Sequence, residues 1–255
     1  GRDEKQASDD HRKKGFGLAI NMQGSGIPLI DMAAARLKLN EDGSFNLYVG
    51  ATDIGTGSDT VLSQIAAETL EVELEDIVVY SSDTDFTPFD SGAYASSTTY
   101  VSGNAVRKAA EKAKDRIIEV FANRYDEDPD QVVWSGGEIK GTNKTKSLSE
   151  FALSLTSGEM ETDQEQIEVT ASEVPEESPP PFAAHFVELE VDTRTGEIDL
   201  QKYVSAVDCG TAINPNLAEG QMEGAIVNGI GYALTEEMEF NSSGRMTNPS
   251  FFDYK

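Results

Sequence analysis

Asp53-Ile54-Gly55-Thr56-Gly57-Ser58-Asp59-Thr60 lies between an alternating apolar run and a helically spaced one. Its two glycines let the main chain come close to a ligand, and free amides at a helix start favour an anion. Ser58 and Thr60 add hydroxyl donors. No Gly-Lys-Ser/Thr follows, as a P-loop requires, and the third glycine of a dinucleotide fingerprint is absent. The competing structural reading is an ordinary strand–helix turn capped by Ser58. A second stretch, Ser91-Gly92-Ala93-Tyr94-Ala95-Ser96-Ser97-Thr98-Thr99-Tyr100, is followed by Ser102-Gly103-Asn104. Such a density of small hydroxyl residues before a helix can hydrogen-bond a diphosphate without positive charge, although the same composition describes a solvated loop. The third is Gly220-Gln221-Met222-Glu223-Gly224, running on through Gly229-Ile230-Gly231. Each helix-interior glycine costs roughly 1 kcal/mol against alanine. Close packing against backbone or a cofactor is the natural compensation, with tight helix packing and a solvated Gln221 as the alternative. Gln221 offers both a donor and an acceptor, the complement of an amide-like edge.

Other polar residues carry less. Glu68 and Glu223 fall on helices as solvated or capping charges, and His185 sits in an alternating strand as a half-buried residue. Cys209, between Asp208 and Gly210, reads as a small core residue. No Ser/His/Asp, Cys/His or paired-carboxylate arrangement can be assembled from this sequence.

The elements that must position these loops follow from periodicity. Ala33, Ala35, Leu37 and Leu39 share one face, Asn40-Glu41-Asp42-Gly43 signals a turn, and Phe45, Leu47 and Val49 alternate again. Residues 32–50 therefore read as a hairpin. Leu62, Ile65, Ala66, Thr69 and Leu70 have helical spacing, with Ser58 or Asp59 as the cap. Ile77-Val78-Val79-Tyr80 is a short buried strand, and a loop over 81–103 leads to a helix over about 104–122. Short strands surround Gly136-Gly137, and a helix starts near Ser147. Phe182–Val191 and Ile198–Val207 form a second hairpin, followed by a helix over about 216–235. The order hairpin, Asp53-Ile54-Gly55, helix is echoed by hairpin, Asp208-Cys209-Gly210, helix. The expected fold class is α+β: two similar halves, each a strand hairpin followed by a glycine-capped helix, packed around a shared cofactor cleft. The expected divisions are a frayed segment 1–14, a first half 15–127, and a second half 128–255 containing an acidic mobile loop, 157–181.

Composition narrows the function. The 255 residues include 46 acidic and 20 basic side chains, for a net charge of −26. Nucleic-acid binding needs basic patches and is not expected, and an anionic membrane surface is an equally poor partner. A single cysteine excludes an internal disulfide and any CxxC cluster motif, and two histidines make a zinc site improbable. No apolar run approaches the roughly 20 residues of a membrane span. Gly1-Arg2-Asp3-Glu4-Lys5 is neither an initiator start nor a signal peptide, so the chain reads as an internal stretch of a larger cytoplasmic subunit.

In order, residues 51–70, 83–106, 185–215 and 219–237 resemble the molybdopterin-binding large subunit of the xanthine dehydrogenase family of molybdenum hydroxylases. The resemblance covers nearly the whole chain from about Lys14. It implies that Gly55, Thr56, Gly57, Ser58 and Asp59 form a cofactor loop, with Thr56 where many members carry Gln. It further implies cofactor contacts from Ala95, Ser96, Ser97, Thr98, Thr99 and Gln221, and a substrate pocket bordered by Tyr94 and Ala95. The implied cofactor is molybdopterin, as its cytosine dinucleotide, with molybdenum. Iron–sulfur (2Fe-2S) and FAD subunits or domains would supply electron transfer. The family's base, a glutamate, would lie beyond Lys255, so no catalytic residue and no protein metal ligand is expected here, and the stretch alone would be inactive. The second loop looks most like bacterial purine or xanthine hydroxylases, which oxidise an electron-poor carbon with water as oxygen source. Aldehyde oxidoreductases (aldehyde oxidases) and aromatic acyl-CoA reductases are the enzymatic alternatives, and an acidic interaction domain the non-enzymatic one.

Overall fold

The computed structural model describes residues 11–157 and 165–252. Alternation builds the first hairpin: in β2 (Ala33–Leu39) and β3 (Phe45–Val49), Ala35, Leu37, Leu39, Phe45, Leu47 and Val49 all turn inward and are buried. The Asn40–Ser44 turn joins them antiparallel, with Gly43 at φ 92°. From β3 the chain passes through α1 (Ser58–Leu70) and returns as β4 (Ile77–Ser81) parallel to β3. The sheet order is β4-β3-β2, with β8 (Glu168–Glu173) added antiparallel to β2. A long helix, α2 (Thr98–Tyr125), buries Val101, Ala105, Ala109, Ala113, Ile117 and Phe121 along one stripe. Alanines in that stripe leave room for close approach, and Phe45, Phe121 and Phe151 fill the core, each contributing about 1.5–3 kcal/mol by burial. Three short strands, β5 (Val133–Ser135), β6 (Glu138–Lys140) and β7 (Thr145–Ser147), precede α3 (Leu148–Thr156). Ser147 and Glu150 start α3 with a capping box. Residues Gly24–Pro179 form one compact unit containing all these elements.

The second unit, Gly1–Gln23 with Pro180–Lys255, is built on a three-stranded antiparallel sheet ordered β1-β9-β10. Its strands are β1 (Arg12–Met22), β9 (Phe182–Asp192) and β10 (Ile198–Asp208), with a bulge near Leu200–Lys202. One face meets α4 (Pro215–Leu234) across a cavity of about 340 Å³ lined by His185, Tyr203, Ser205, Met222 and Ile226. On the other, Leu18, Ile20, Met22, Phe182 and Phe186 are exposed.

The α+β class and both hairpins agree with the sequence, while several boundaries differ. The units divide at 23/24 and 179/180 rather than at 127/128. Residues 12–14 belong to β1 instead of a frayed end, because β9 gives them a full antiparallel partner; residues 1–10 lie outside the described set. Within the expected mobile loop 157–181, β8 is ordered: Ile167, Val169 and Ala171 alternate inward against β2. Residues 158–164 of that segment lie outside the described set. Helix α2 begins at Thr98, six residues early, because Ser102 donates to the Asp90 carboxylate and Gly103 lies under Ile65. Cys209 is exposed rather than in a core, since β10 ends one residue before it.

Candidate functional site

Asp53 organises the first glycine loop. Its Oδ1 accepts the amides of Gly55 (2.8 Å) and Gly57 (3.2 Å), folding the chain back at φ 96° and 75°. These left-handed values suit glycine alone without strain. The Gly55 amide, foremost among several backbone donors, holds the Asp53 carboxyl below its ordinary value. Neither Ser58 nor Asp59 caps α1: the N-cap is Gly57, with no side-chain cap. Ser58 is the first helical residue, 6% exposed, and its Oγ has no partner. Asp59 accepts a hydrogen bond from Ser81 Oγ (3.0 Å), tying α1 to the end of β4.

The second loop is anchored at both ends. Asp90 accepts Gly92 N (2.8 Å) and Ser102 Oγ (2.6 Å), and Ser91 bonds the Met32 backbone at the start of β2. Between these anchors, Ala95 (φ 49°) and Ser96 (φ 53°) are consecutive left-handed residues. Each costs of order 1–2 kcal/mol, which surrounding contacts must offset. The chain then enters α2, whose N-cap Ser97 provides no side-chain cap. Its Oγ donates instead to the Tyr94 carbonyl (2.6 Å), so buried Ser97 braces the loop.

The two loops meet. Ile54, Thr56, Ser58 and Val61 on one side, and Ala93 to Thr99 on the other, line a cavity of about 390 Å³. Two helix starts without side-chain caps therefore border one space. At α1 the Asp53 carboxylate already draws the loop amides to itself. At the α2 start no side-chain acceptor serves the first-turn amides among the described residues, which leaves them free in the way a helix N-terminus favours an anion. No lysine or arginine lines the cavity, so an anion there would be held by amides and hydroxyls. Gly55 and Gly57 have open space where a Cβ would stand. A cavity of about 460 Å³ beside Lys38–Asp42 and Glu165 contains none of the expected site residues.

Of the expected residues, Thr56, Ser58, Tyr94, Ala95, Ser96, Ser97, Thr98 and Thr99 thus share one cavity wall. Gln221 belongs to the other unit, exposed on α4. The glycine compensation expected on α4 is met at one position among the described residues: a Cβ at Gly231 would meet the Glu236 side chain, while nothing lies within 4 Å of one built at Gly220, Gly224 or Gly229. The Asp-X-Gly echo is geometrically real, since Asp208 Oδ1 accepts Gly210 N (3.0 Å) as Asp53 accepts Gly55 N. Sequence reasoning missed Asp31, which is 1% exposed and accepts Ile27 N (2.7 Å) and the Tyr94 hydroxyl. The glycines of Gly24-Ser25-Gly26-Ile27-Pro28 were the available signal for that turn.

Hydroxyl-rich loops and two helix starts without side-chain caps thus line one cavity. The whole chain, residues 1–255, matches the molybdopterin cofactor-binding domain, and the protein belongs to that family. It is 42% identical over 231 residues to the probable hypoxanthine oxidase XdhD of Escherichia coli K12, covering 90% of this chain and 24% of the relative. It is 36% identical over 266 residues to the putative xanthine dehydrogenase molybdenum-binding subunit XdhA of the same strain, covering 100% of this chain and 35% of the relative. Among solved structures, quinoline 2-oxidoreductase from Pseudomonas putida 86 superposes with a TM-score of 0.77 at 23% identity, over 99% of this chain and 34% of that one. The chain thus spans about a quarter to a third of the length of these relatives.

Proposed function

We propose that this chain is the molybdenum-cofactor-binding part of a bacterial hydroxylase acting on a purine or related N-heterocycle. The uncapped start of α2, facing a cavity walled by Thr56, Ser58, Ser96, Thr98 and Thr99, carries the reading. Amides and hydroxyls there suit the diphosphate of a molybdopterin dinucleotide, in its cytosine form. The unpartnered Ser58 Oγ supplies a donor that a phosphate oxygen would satisfy. In this reading Gly55–Asp59, Ala95–Thr99 and Gln221 hold the cofactor, while Tyr94 and Ala95 border the substrate. When bound, the cofactor supplies the redox chemistry that hydroxylates an electron-poor carbon with oxygen from water. The chain's own residues bind and orient it. No residue of this chain is assigned proton transfer in this reading, and electrons leave through iron–sulfur and FAD partners.

The purine preference rests on the likeness to XdhD and XdhA. A second reading, aldehyde oxidation, is favoured by 33% identity over 234 residues to the aldehyde oxidoreductase molybdenum-binding subunit PaoC of Escherichia coli K12. The full-length protein, purified with its partner subunits from a molybdenum-competent host, decides between them. Hypoxanthine turnover at a kcat/KM at least about tenfold above that for aromatic aldehydes is expected, a margin of about 1.4 kcal/mol in transition-state binding. The reverse order would replace the purine reading with the aldehyde one. Protein carrying neither pterin nor molybdenum would end the enzymatic reading altogether.

A further inference from the structure

The strained pair Ala95–Ser96 needs a brace, and the most buried carboxylate in the described chain supplies one. Asp31 is 1% exposed. One carboxylate oxygen, Oδ2, accepts Ile27 N at 2.7 Å, and the other, Oδ1, accepts the Tyr94 hydroxyl. The same turn reaches the loop a second time, because Gly26 N donates to Ala95 O at 3.1 Å. Gly26 is left-handed (φ 81°), and a Cβ there would stand 3.3 Å from Asp31 Oδ2 and 3.6 Å from Ser97 Cβ. Ser178 Oγ in turn donates to Gly26 O at 2.9 Å. The turn 24–31 and the loop 91–97 therefore behave as one clasp closed by Asp31 and Tyr94.

We propose that Asp31 is a positioning residue of this site, holding Tyr94 and the left-handed pair Ala95–Ser96 in the one conformation that walls the cavity. The inference rests on the proposed reading of that cavity as a cofactor and substrate site. Its role depends on one side chain tying both ends of the clasp. Two donors converge on its two oxygens, and an asparagine could still accept Ile27 N through its carbonyl and donate its NH2 to the Tyr94 hydroxyl oxygen. Asp31→Ala is therefore the disruptive change, since it leaves the Ile27 amide and the Tyr94 hydroxyl without their acceptor. Asp31 touches neither substrate nor cofactor; it acts through Tyr94.

The test uses the full-length holoenzyme as wild type, Asp31→Ala, Tyr94→Phe and the double variant. Hydrogen exchange of residues 93–97 and KM for hypoxanthine are measured in each. Asp31→Ala and Tyr94→Phe are each expected to speed loop exchange at least about tenfold and raise KM at least about fivefold, with exchange along Ala105–Ala113 unchanged. The double variant should be no worse than the more severe single one, because both changes open the same clasp. Multiplying effects in the double variant would overturn the proposal. So would unchanged loop exchange in Tyr94→Phe, a variant that removes one exposed-ring hydroxyl and keeps the fold even if Asp31→Ala does not. Wild-type protein lacking pterin would instead defeat the cofactor reading, while the exchange measurement still judges the clasp.

Discussion

Tyr94 and Asp53 give the site opposite responses to pH. Hydrogen bonding to the Asp31 carboxylate, aided by burial and by the charges of Asp31 and Asp90, raises the Tyr94 phenol above its ordinary value. Its contribution to stability is therefore complete below the unfolded phenol value and is lost as pH rises through the folded one. Backbone amides, led by that of Gly55, lower Asp53. Its contribution is present above the unfolded carboxyl value and is lost as pH falls through the folded one. Tyr94→Phe should flatten the alkaline limb of a stability-against-pH curve, and Asp53→Asn the acid limb, each leaving the other limb in place. Thermal midpoints across the pH range check both. An asparagine side-chain carbonyl can still accept the Gly55 amide, so the turn itself should persist in the second variant.

Element joints are where single side chains carry the most. Trp134, 5% exposed, donates its indole N–H to the carbonyl of Leu70 at 2.6 Å, fastening β5 to the last turn of α1. Trp134→Phe keeps most of the ring's burial but strands that carbonyl, and a loss of about 1–3 kcal/mol in denaturant unfolding is expected. The hairpins β2–β3 and β9–β10 were legible because inward residues alternate and their turns carry glycine. The glycine loop and the start of α4 were legible for the same local reasons. What stayed hidden depends on distant partners. Ser102-Gly103-Asn104 has poor helix propensity, yet it lies inside α2 because Asp90 and Ile65 receive it. Strand β8 was masked by its acidic neighbours, and its inward Ala171 acquires meaning only beside β2. Asp31 was invisible for the plainest reason: its partner Tyr94 is 63 residues away.

At the scale of the molecule, stability is unevenly shared. Every buried side chain among the described residues, from Asp31 to Pro175, belongs to the unit Gly24–Pro179. In the other unit β9 is mostly half-buried, β1 and β10 are largely exposed, and α4 has no buried residue. Residues 24–179 expressed alone should therefore unfold in one cooperative transition, with Trp134 fluorescence and circular dichroism giving coincident curves. A broad or probe-dependent transition would show that the unit depends on its flanks.

The pairing of β1 with β9 has a consequence for the order in which the chain can assemble. Arg12 meets Glu190 across 178 residues of sequence, a closure that an unfolded chain reaches slowly. The intervening unit removes most of that search. Once folded, it holds its own ends together through Leu29 N to Pro175 O (3.0 Å) and Ser178 Oγ to Gly26 O (2.9 Å). Gln23 and Pro181 then need only close a short ring for β1 to zip along β9. The central unit is in this sense an oversized hairpin turn, and the outer sheet inherits its contact order from how fast that turn forms.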